Sequence, residues 1–237
     1  MIFAIGDIHG QCQKLTNLLD QLAQFGMTDE DTLVFIGDYI DRGPDTKGVL
    51  DLLIHLEATR PNTIFLRGNH EQMILDARER FDSDFDAKNP LGTSETGTFW
   101  FTEGSAATLA SYNKKGVHWV RQIPEEHWQF MLRTRMEFEL LPYLFVHAGI
   151  VPKGVKFDFN GIPVDPRLWI RYEFIASQDD FGGRIVIFGH TPTSSGEPMI
   201  QTNKIAIDTG AGYGGPLTAV LLPPIFRSRE VRVFQAV

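Results

Sequence analysis

The sequence predicts an α/β fold: a four-layer α/β/β/α sandwich of two mixed sheets with helices on the outside. Three observations predict it. Short apolar runs alternate with helically spaced apolar residues through the first 75 positions, the pattern of βαβ units and a mostly parallel sheet. After residue 140 apolar runs recur with short connections, which reads as a β-rich second half. Between them, residues 80–140 lack a strand pattern and are too short to be comfortable alone, so they read as a helical, cap-like insertion in one domain spanning 1–237.

Each element follows from its residues. Residues 2–5 are the first apolar run and end in Gly6-Asp7. Leu15, Leu18, Leu19, Leu22 and Phe25 then recur at helical spacing, with Gly26 as the stop. Residues 32–36 are the second run, ending in Gly37-Asp38, and Val49, Leu52, Leu53 and Leu56 mark the second helix. Residues 63–66 end in Arg67-Gly68-Asn69-His70, with a third helix following. The insertion holds Asn89-Pro90, several Gly and Ser, and aromatics at Phe99, Trp100, Phe101, Tyr112, Trp119 and Trp128, which read as core. Residues 144–146 end in His147-Ala148-Gly149, 184–188 in Gly189-His190, and 205–207 in Asp208. Runs at 217–222 and 231–234 are the last strands, and 210–215 is a Gly-rich loop.

Composition excludes several functions. The 237 residues are 43% hydrophobic and 22% charged, which is the balance of a globular chain and excludes a disordered, collagenous or membrane-spanning one. Lys and Arg number 22 against 30 Asp and Glu, a net charge of −8. Nucleic-acid binding rests on basic residues meeting phosphates, so none is expected. No polybasic patch points to a membrane surface. The single cysteine, Cys12, cannot form an intrachain disulfide and reads as a packed residue of the first helical turn. The N-terminal apolar run stops after five residues and has no basic region, unlike a signal peptide. A cytoplasmic protein is the expectation.

The chemistry lies in position. Asp7, Asp38, Asn69, His147 and His190 all sit just after a short apolar run, and His9 follows Asp7 by two. In open α/β sheets the carboxyl ends of strands converge on the ligand crevice. One Asp after a strand is ordinarily a turn or helix cap, and one such His is ordinarily a hydrogen-bonded core residue. Recurrence at a single structural station gives instead the donor set of a metal centre. Carboxylates, an amide oxygen and imidazoles suit manganese, iron or zinc. Six candidate ligands exceed a four-coordinate site, so two divalent ions are expected, with one carboxylate bridging them. His55, His118 and His127 fall in helices or the insertion and read as structural.

Gly6-Asp7-Ile8-His9-Gly10, Gly37-Asp38-Tyr39-Ile40-Asp41-Arg42-Gly43, Gly68-Asn69-His70-Glu71, His147-Ala148-Gly149 and Gly189-His190-Thr191-Pro192 together resemble the metallo-dependent phosphoprotein phosphatases of the calcineurin-like superfamily. The short bacterial and bacteriophage serine/threonine phosphatases are the nearest resemblance. Trp169-Ile170-Arg171 and Asp208-Thr209-Gly210 are similar to that group, and residues 98–112, with Trp100, Gly104, Leu109, Ser111 and Tyr112, resemble its cap segment. The resemblance implies hydrolysis of phosphoserine and phosphothreonine, with phosphotyrosine as a further substrate, by a water activated between two divalent ions, manganese foremost. It assigns Asp7 and His9 to the first metal, Asp38 to both, and Asn69, His147 and His190 to the second. It makes His70 the general acid, oriented by Asp41, and gives Arg42, Arg67 and Arg171 the phosphoryl oxygens.

These residue types suit that chemistry. A phosphate ester resists attack because it is already anionic, and paired cations neutralise it and acidify a water. An alkoxide leaving group needs a proton, which a carboxylate-oriented imidazole supplies. The planar guanidinium can donate two parallel hydrogen bonds to a phosphoryl group. Tyr213, in the Gly-rich loop, is a further candidate for substrate contact.

Other functions fit part of the pattern. Symmetrical dinucleoside polyphosphate hydrolases resemble this family closely, but tend to lack an Asp at the position of Asp41 and to carry Asp where this chain has Glu71. A catalytically silent metal-binding scaffold would be expected to have lost a ligand or the acid, and all are present. A nuclease is disfavoured by the acidic charge.

Overall fold

Side chains alternate across a strand, so a strand that is apolar at every position needs cover on both faces. The first two strands are of this kind. Phe3, Ile5, Leu33 and Phe35 enter one core, while Ala4, Val34 and Ile36 enter another. The computed structural model describes residues 1–83, 95–112, 119–223 and 230–237. Asn89-Pro90, His118 and the Trp119 side chain lie outside what is described.

The strands are Ile2–Ile5 (β1), Thr32–Phe35 (β2), Thr63–Phe65 (β3), Glu137–Leu140 (β4), Tyr143–Val146 (β5), Ile185–Phe188 (β6), Met199–Ile200 (β7), Lys204–Ala206 (β8), Leu217–Leu222 (β9) and Arg232–Ala236 (β10). They form two five-stranded sheets, ordered β10-β9-β1-β2-β3 and β4-β5-β6-β8-β7. In the first, β1, β2 and β3 are parallel, with Ile5 level with Phe35, and β9 and β10 return antiparallel. In the second, β5, β6 and β8 are parallel between antiparallel edge strands. Both sheets are therefore mixed.

The sheets face each other across Ala4, Val34, Ile36, Phe145, Ile187 and Val220. Helices Cys12–Phe25 (α1), Thr46–Thr59 (α2) and Asn69–Ser83 (α3) cover the outer face of the first sheet. Glu95–Thr102 (α4), Ser105–Ser111 (α5) and Glu125–Arg133 (α6) extend that layer, with Trp100, Trp128 and Phe130 buried in the same core. Pro166–Trp169 (α7) and Tyr172–Ile175 (α8) lie in the segment that covers the second sheet, where Ile170 and Phe174 pack on Val146 and Phe188. The layers are α/β/β/α, as the sequence predicts. Local signals set the helix ends: Gly26, at φ +108°, closes α1 by donating to Ala23, and the Asp45 carboxylate caps α2 at Gly48 N.

Two expectations are corrected. β4 lies inside the segment read as a helical insertion; only Phe138 among its residues packs inward, so its signal is weak. The second half is not connected throughout by short loops, because residues 147–184 between β5 and β6 carry α7 and α8. Among the described residues no helix is long and apolar enough to cross a membrane.

Candidate metal centre

Parallel strands bring their carboxyl ends to a common edge. Asp7 follows β1, Asp38 follows β2, Asn69 follows β3, His147 follows β5, His190 follows β6 and Asp208 follows β8. The turns after β1, β2 and β6 are sharp. His9, Asp38, Asp41, Arg42 and His190 are non-glycine residues with φ between +47° and +71°, a region that costs energy for L side chains and concentrates at functional sites. Glycine admits the close approaches: a Cβ on Gly68 would overlap the Asp38 carboxylate, and one on Gly189 would overlap that of Asp7.

The donors converge. Asp38 belongs to two groups of potential ligand atoms, one with His9 and His70 and one with His147 and His190, each within a 4.8 Å span. His9 Nδ1 donates to Ile40 O at 2.8 Å, and His147 Nδ1 donates to Ile36 O at 2.9 Å. Each neutral ring therefore presents an Nε2 lone pair inward. Those nitrogens lie 3.4 Å from Asp38 Oδ2 and Oδ1 respectively, so the carboxylate offers one oxygen to each imidazole. Asn69 Oδ1 stands 3.0 Å from His147 Nε2 and 2.8 Å from His190 Nδ1. His147 Nε2 faces the oxygens of Asp38 and Asn69 with no proton between them, His190 Nε2 is buried without a hydrogen-bond partner, and this donor set could hold divalent ions, with Asp38 common to its two groups.

Charge and burial agree. Burial pushes the Asp7 carboxyl well above the usual carboxylate range, and Asp208 and Asp38 add repulsion. Asp7 Oδ2 accepts from His190 N at 2.9 Å, while the buried Oδ1 has no hydrogen-bond partner. Burial, aided by Asp38, pushes Asp208 up to about 6. Burial also raises Asp38, but the surrounding imidazoles outweigh it and hold that carboxyl far below its ordinary value. Burial lowers His9, His147 and His190, which keeps them neutral as ligands must be.

Beside this cluster a cavity of about 180 Å³ is lined by Asp38, Arg42, Asn69, Glu103, Phe159, Trp169, Arg171 and His190. His70 is buried, with Nδ1 2.7 Å from Asp41 Oδ2 and Nε2 4.0 Å from Asp38 Oδ2. Burial would lower its pKa, but the Asp38 charge and the Asp41 hydrogen bond raise it above the ordinary imidazole value. Arg42 lies against His9 Nε2, stacks 4.6 Å over the Tyr213 ring and approaches Glu103 at 3.8 Å. Arg171 donates to His190 O at 2.8 Å. Tyr213 is 68% exposed at the edge of the site.

The Arg67 guanidinium donates to Thr134 Oγ1 at 3.1 Å, Gln72 Oε1 at 2.9 Å and Leu132 O at 2.9 Å. It closes the end of α6, whereas Arg42 and Arg171 line the cavity.

Residues 1–194 match the calcineurin-like phosphoesterase family. The chain is a calcineurin-like phosphoesterase. It is 33% identical to serine/threonine-protein phosphatase 1 of Salmonella typhimurium, over 92% of this chain and 89% of that protein. It is 27% identical to an asymmetrical bis(5′-nucleosyl)-tetraphosphatase of Bacillus thuringiensis, over 92% of this chain and 89% of that one. A protein serine/threonine phosphatase from Saccharomyces cerevisiae shares the fold at TM-score 0.61 and 18% identity, covering 100% of this chain and 80% of its own. Membership implies divalent metal ions, in accord with the donor cluster.

Four residues of this phosphoesterase's site were not assigned from sequence. Asp208 follows β8 as the other candidates follow their strands, so its position in the sequence carries the same signal. Glu71 is buried and accepts from Asp38 N, Tyr39 N and Gly68 N, each at 2.9 Å, tying the second and third strand ends together. Burial and Asp38 push it up to about 7. Trp100 and Thr108, from α4 and α5, hydrogen-bond to Asp41. Only the fold joins them to it, at separations of 59 and 67 residues.

Proposed function

We propose that this phosphoesterase is a phosphoprotein phosphatase acting on phosphoserine and phosphothreonine, with phosphotyrosine as a further substrate. The observation that carries the reading is the buried His70–Asp41 pair, 2.7 Å apart, beside the candidate metal cluster. Serine and threonine leave as strongly basic alkoxides and need a proton; a nucleotide leaving from a phosphoanhydride needs one far less. Asp7 and His9 would hold one ion, Asn69, His147 and His190 the other, and Asp38 both, with manganese first and iron or zinc as alternatives by donor chemistry. When bound, such ions neutralise the phosphoryl oxygens and acidify a water. Arg42 and Arg171 orient the phosphoryl group from the cavity wall. His70 holds its Nδ1 proton on Asp41 and delivers the Nε2 proton to the departing alkoxide as the P–O bond breaks. Tyr213, stacked under Arg42, bounds the substrate on the open side.

The second reading, a dinucleoside polyphosphate hydrolase, is favoured by the 27% identity to the Bacillus tetraphosphatase. Turnover of a phosphoserine peptide against diadenosine tetraphosphate, with each candidate metal, separates them. Phosphopeptide preference is expected; a strong preference for the dinucleotide contradicts the proposal. His70→Asn is expected to lower kcat on alkyl phosphates by about 10²–10⁴-fold and on p-nitrophenyl phosphate by much less.

A further inference from the structure

Asp41 is fully buried, and its carboxylate meets three donors. His70 Nδ1 reaches Oδ2 at 2.7 Å, Thr108 Oγ1 reaches Oδ1 at 2.6 Å, and the Trp100 indole nitrogen lies 3.2 and 3.1 Å from the two oxygens. Two of the three donors come from α4 and α5, the next described helices after α3. The hydroxyl chain has one direction. Thr108 gives its single proton to Asp41, so at the Asp41 backbone N–H (2.9 Å) and at Thr46 Oγ1 (3.0 Å) it accepts. Thr46, Thr108 and Trp100 are buried, so deleting a donor leaves a carboxylate lone pair unsatisfied.

The same helices brace the backbone. Asp41 and Arg42 are consecutive non-glycine residues at φ +71° and +64°. Such strain persists only where the surroundings hold it. Asp41 N is held by Thr108 and, at 3.3 Å, by Thr46, and Arg42 N donates to Gly104 O at 3.2 Å.

We infer that Trp100 and Thr108 are positioning residues for proton delivery: by fixing the Asp41 carboxylate they hold the His70 ring with Nε2 toward the leaving group. The inference rests on the reading of His70 as the acid. An aligned proton donor matters in proportion to the basicity of the leaving group, whereas a mere structural brace affects all substrates alike.

The test uses the full chain with added Mn²⁺ and compares Thr108→Val, Thr108→Ser, Trp100→Phe, His70→Asn and the Thr108→Val/His70→Asn double variant on an alkyl phosphate and p-nitrophenyl phosphate. Thr108→Val is expected to lower kcat on the alkyl ester by about 10–100-fold and on the aryl ester by under about 3-fold, with KM unchanged. Trp100→Phe shows the same bias, and Thr108→Ser keeps the wild-type ratio. In the His70→Asn background, Thr108→Val costs nothing further. Separately from turnover, the His70 Nδ1 proton of the metal-free protein is followed by NMR as a downfield resonance, which Thr108→Val moves and Thr108→Ser does not. Equal losses on both esters, additivity in the double variant or an unmoved resonance overturns the inference and leaves the acid assignment standing. A His70→Asn loss that ignores the leaving group overturns both. Should Thr108→Val fail to fold, Trp100→Phe carries the same comparisons.

Discussion

Asp38 presents one carboxylate oxygen to His9 and the other to His147. Asp38→Asn keeps its size and removes its charge, so at least one of two bound ions is expected to be lost. Metal content after dialysis measures this, and two retained ions would remove Asp38 from the shared position. Asp208 gives a pH prediction for the metal-free protein. Its folded pKa, about 6, lies above the value of a solvated carboxyl, so between these values the folded state binds the extra proton and stability falls as pH rises. Asp208→Asn should therefore stabilise the metal-free protein at pH 7 by of order 1–3 kcal/mol and change little near pH 4. Urea unfolding at both values decides it; an equal effect at the two would refute it. The sequence made such residues legible because one strand end after another carried Asp, Asn or His. It could not show which groups Arg67 meets, since its acceptors lie at the end of α6 and only folding brings them near.

Helices and strands hold these groups at a distance from the chemistry. Lys204, buried in β8, donates to the carbonyls of Phe174, Ile175 and Ser177 at 3.2, 2.8 and 2.5 Å, closing the end of α8. Lys204→Met takes the donor from the Ile175 and Ser177 carbonyls, while Phe174 O keeps Ser177 N, and should cost about 2–4 kcal/mol, read by chemical denaturation. Arg171 stands at the start of α8, so KM for a phosphate ester should rise as well. A stability change under about 0.5 kcal/mol would contradict this role for Lys204. Elements with dense apolar signals, β1, β2, β5, β6 and α1, were readable from residue spacing. β4, with Glu137 and Glu139 exposed, and the one-turn helices α7 and α8 were not, because a single inward Phe138 or a four-residue turn carries too little periodicity.

Across the whole molecule, the first sheet supplies Asp7, Asp38 and Asn69, and the second supplies His147 and His190. Divalent ions held between them would bind only the packed state. At a metal concentration of about 100 times Kd they should add about 2.7 kcal/mol, which for a chain of this size raises Tm by roughly 5–10 °C. A melting curve indifferent to manganese, zinc and chelator would deny that both sheets share the ions. The two-sheet architecture was legible because each half ended its apolar runs on ligand-type residues. The bracing of Asp41 by Trp100 and Thr108 was not, because aromatic and hydroxyl residues in a helical segment carry no spacing signal for a partner so distant in the chain.

Phe159 reaches the cavity from a tight reversal at Asn160 and Gly161, pinned by one bridge between Phe159 and Ile162, and rests on Trp169 with ring centroids 4.7 Å apart. None of the candidate ligands belongs to that reversal. Its tip can thus be recut for bulk or polarity without touching the ion cage, which makes residue 159 an adjustable gauge for the shape of the ester admitted: trimming it to alanine should shift preference among esters of different girth while metal stoichiometry stays fixed.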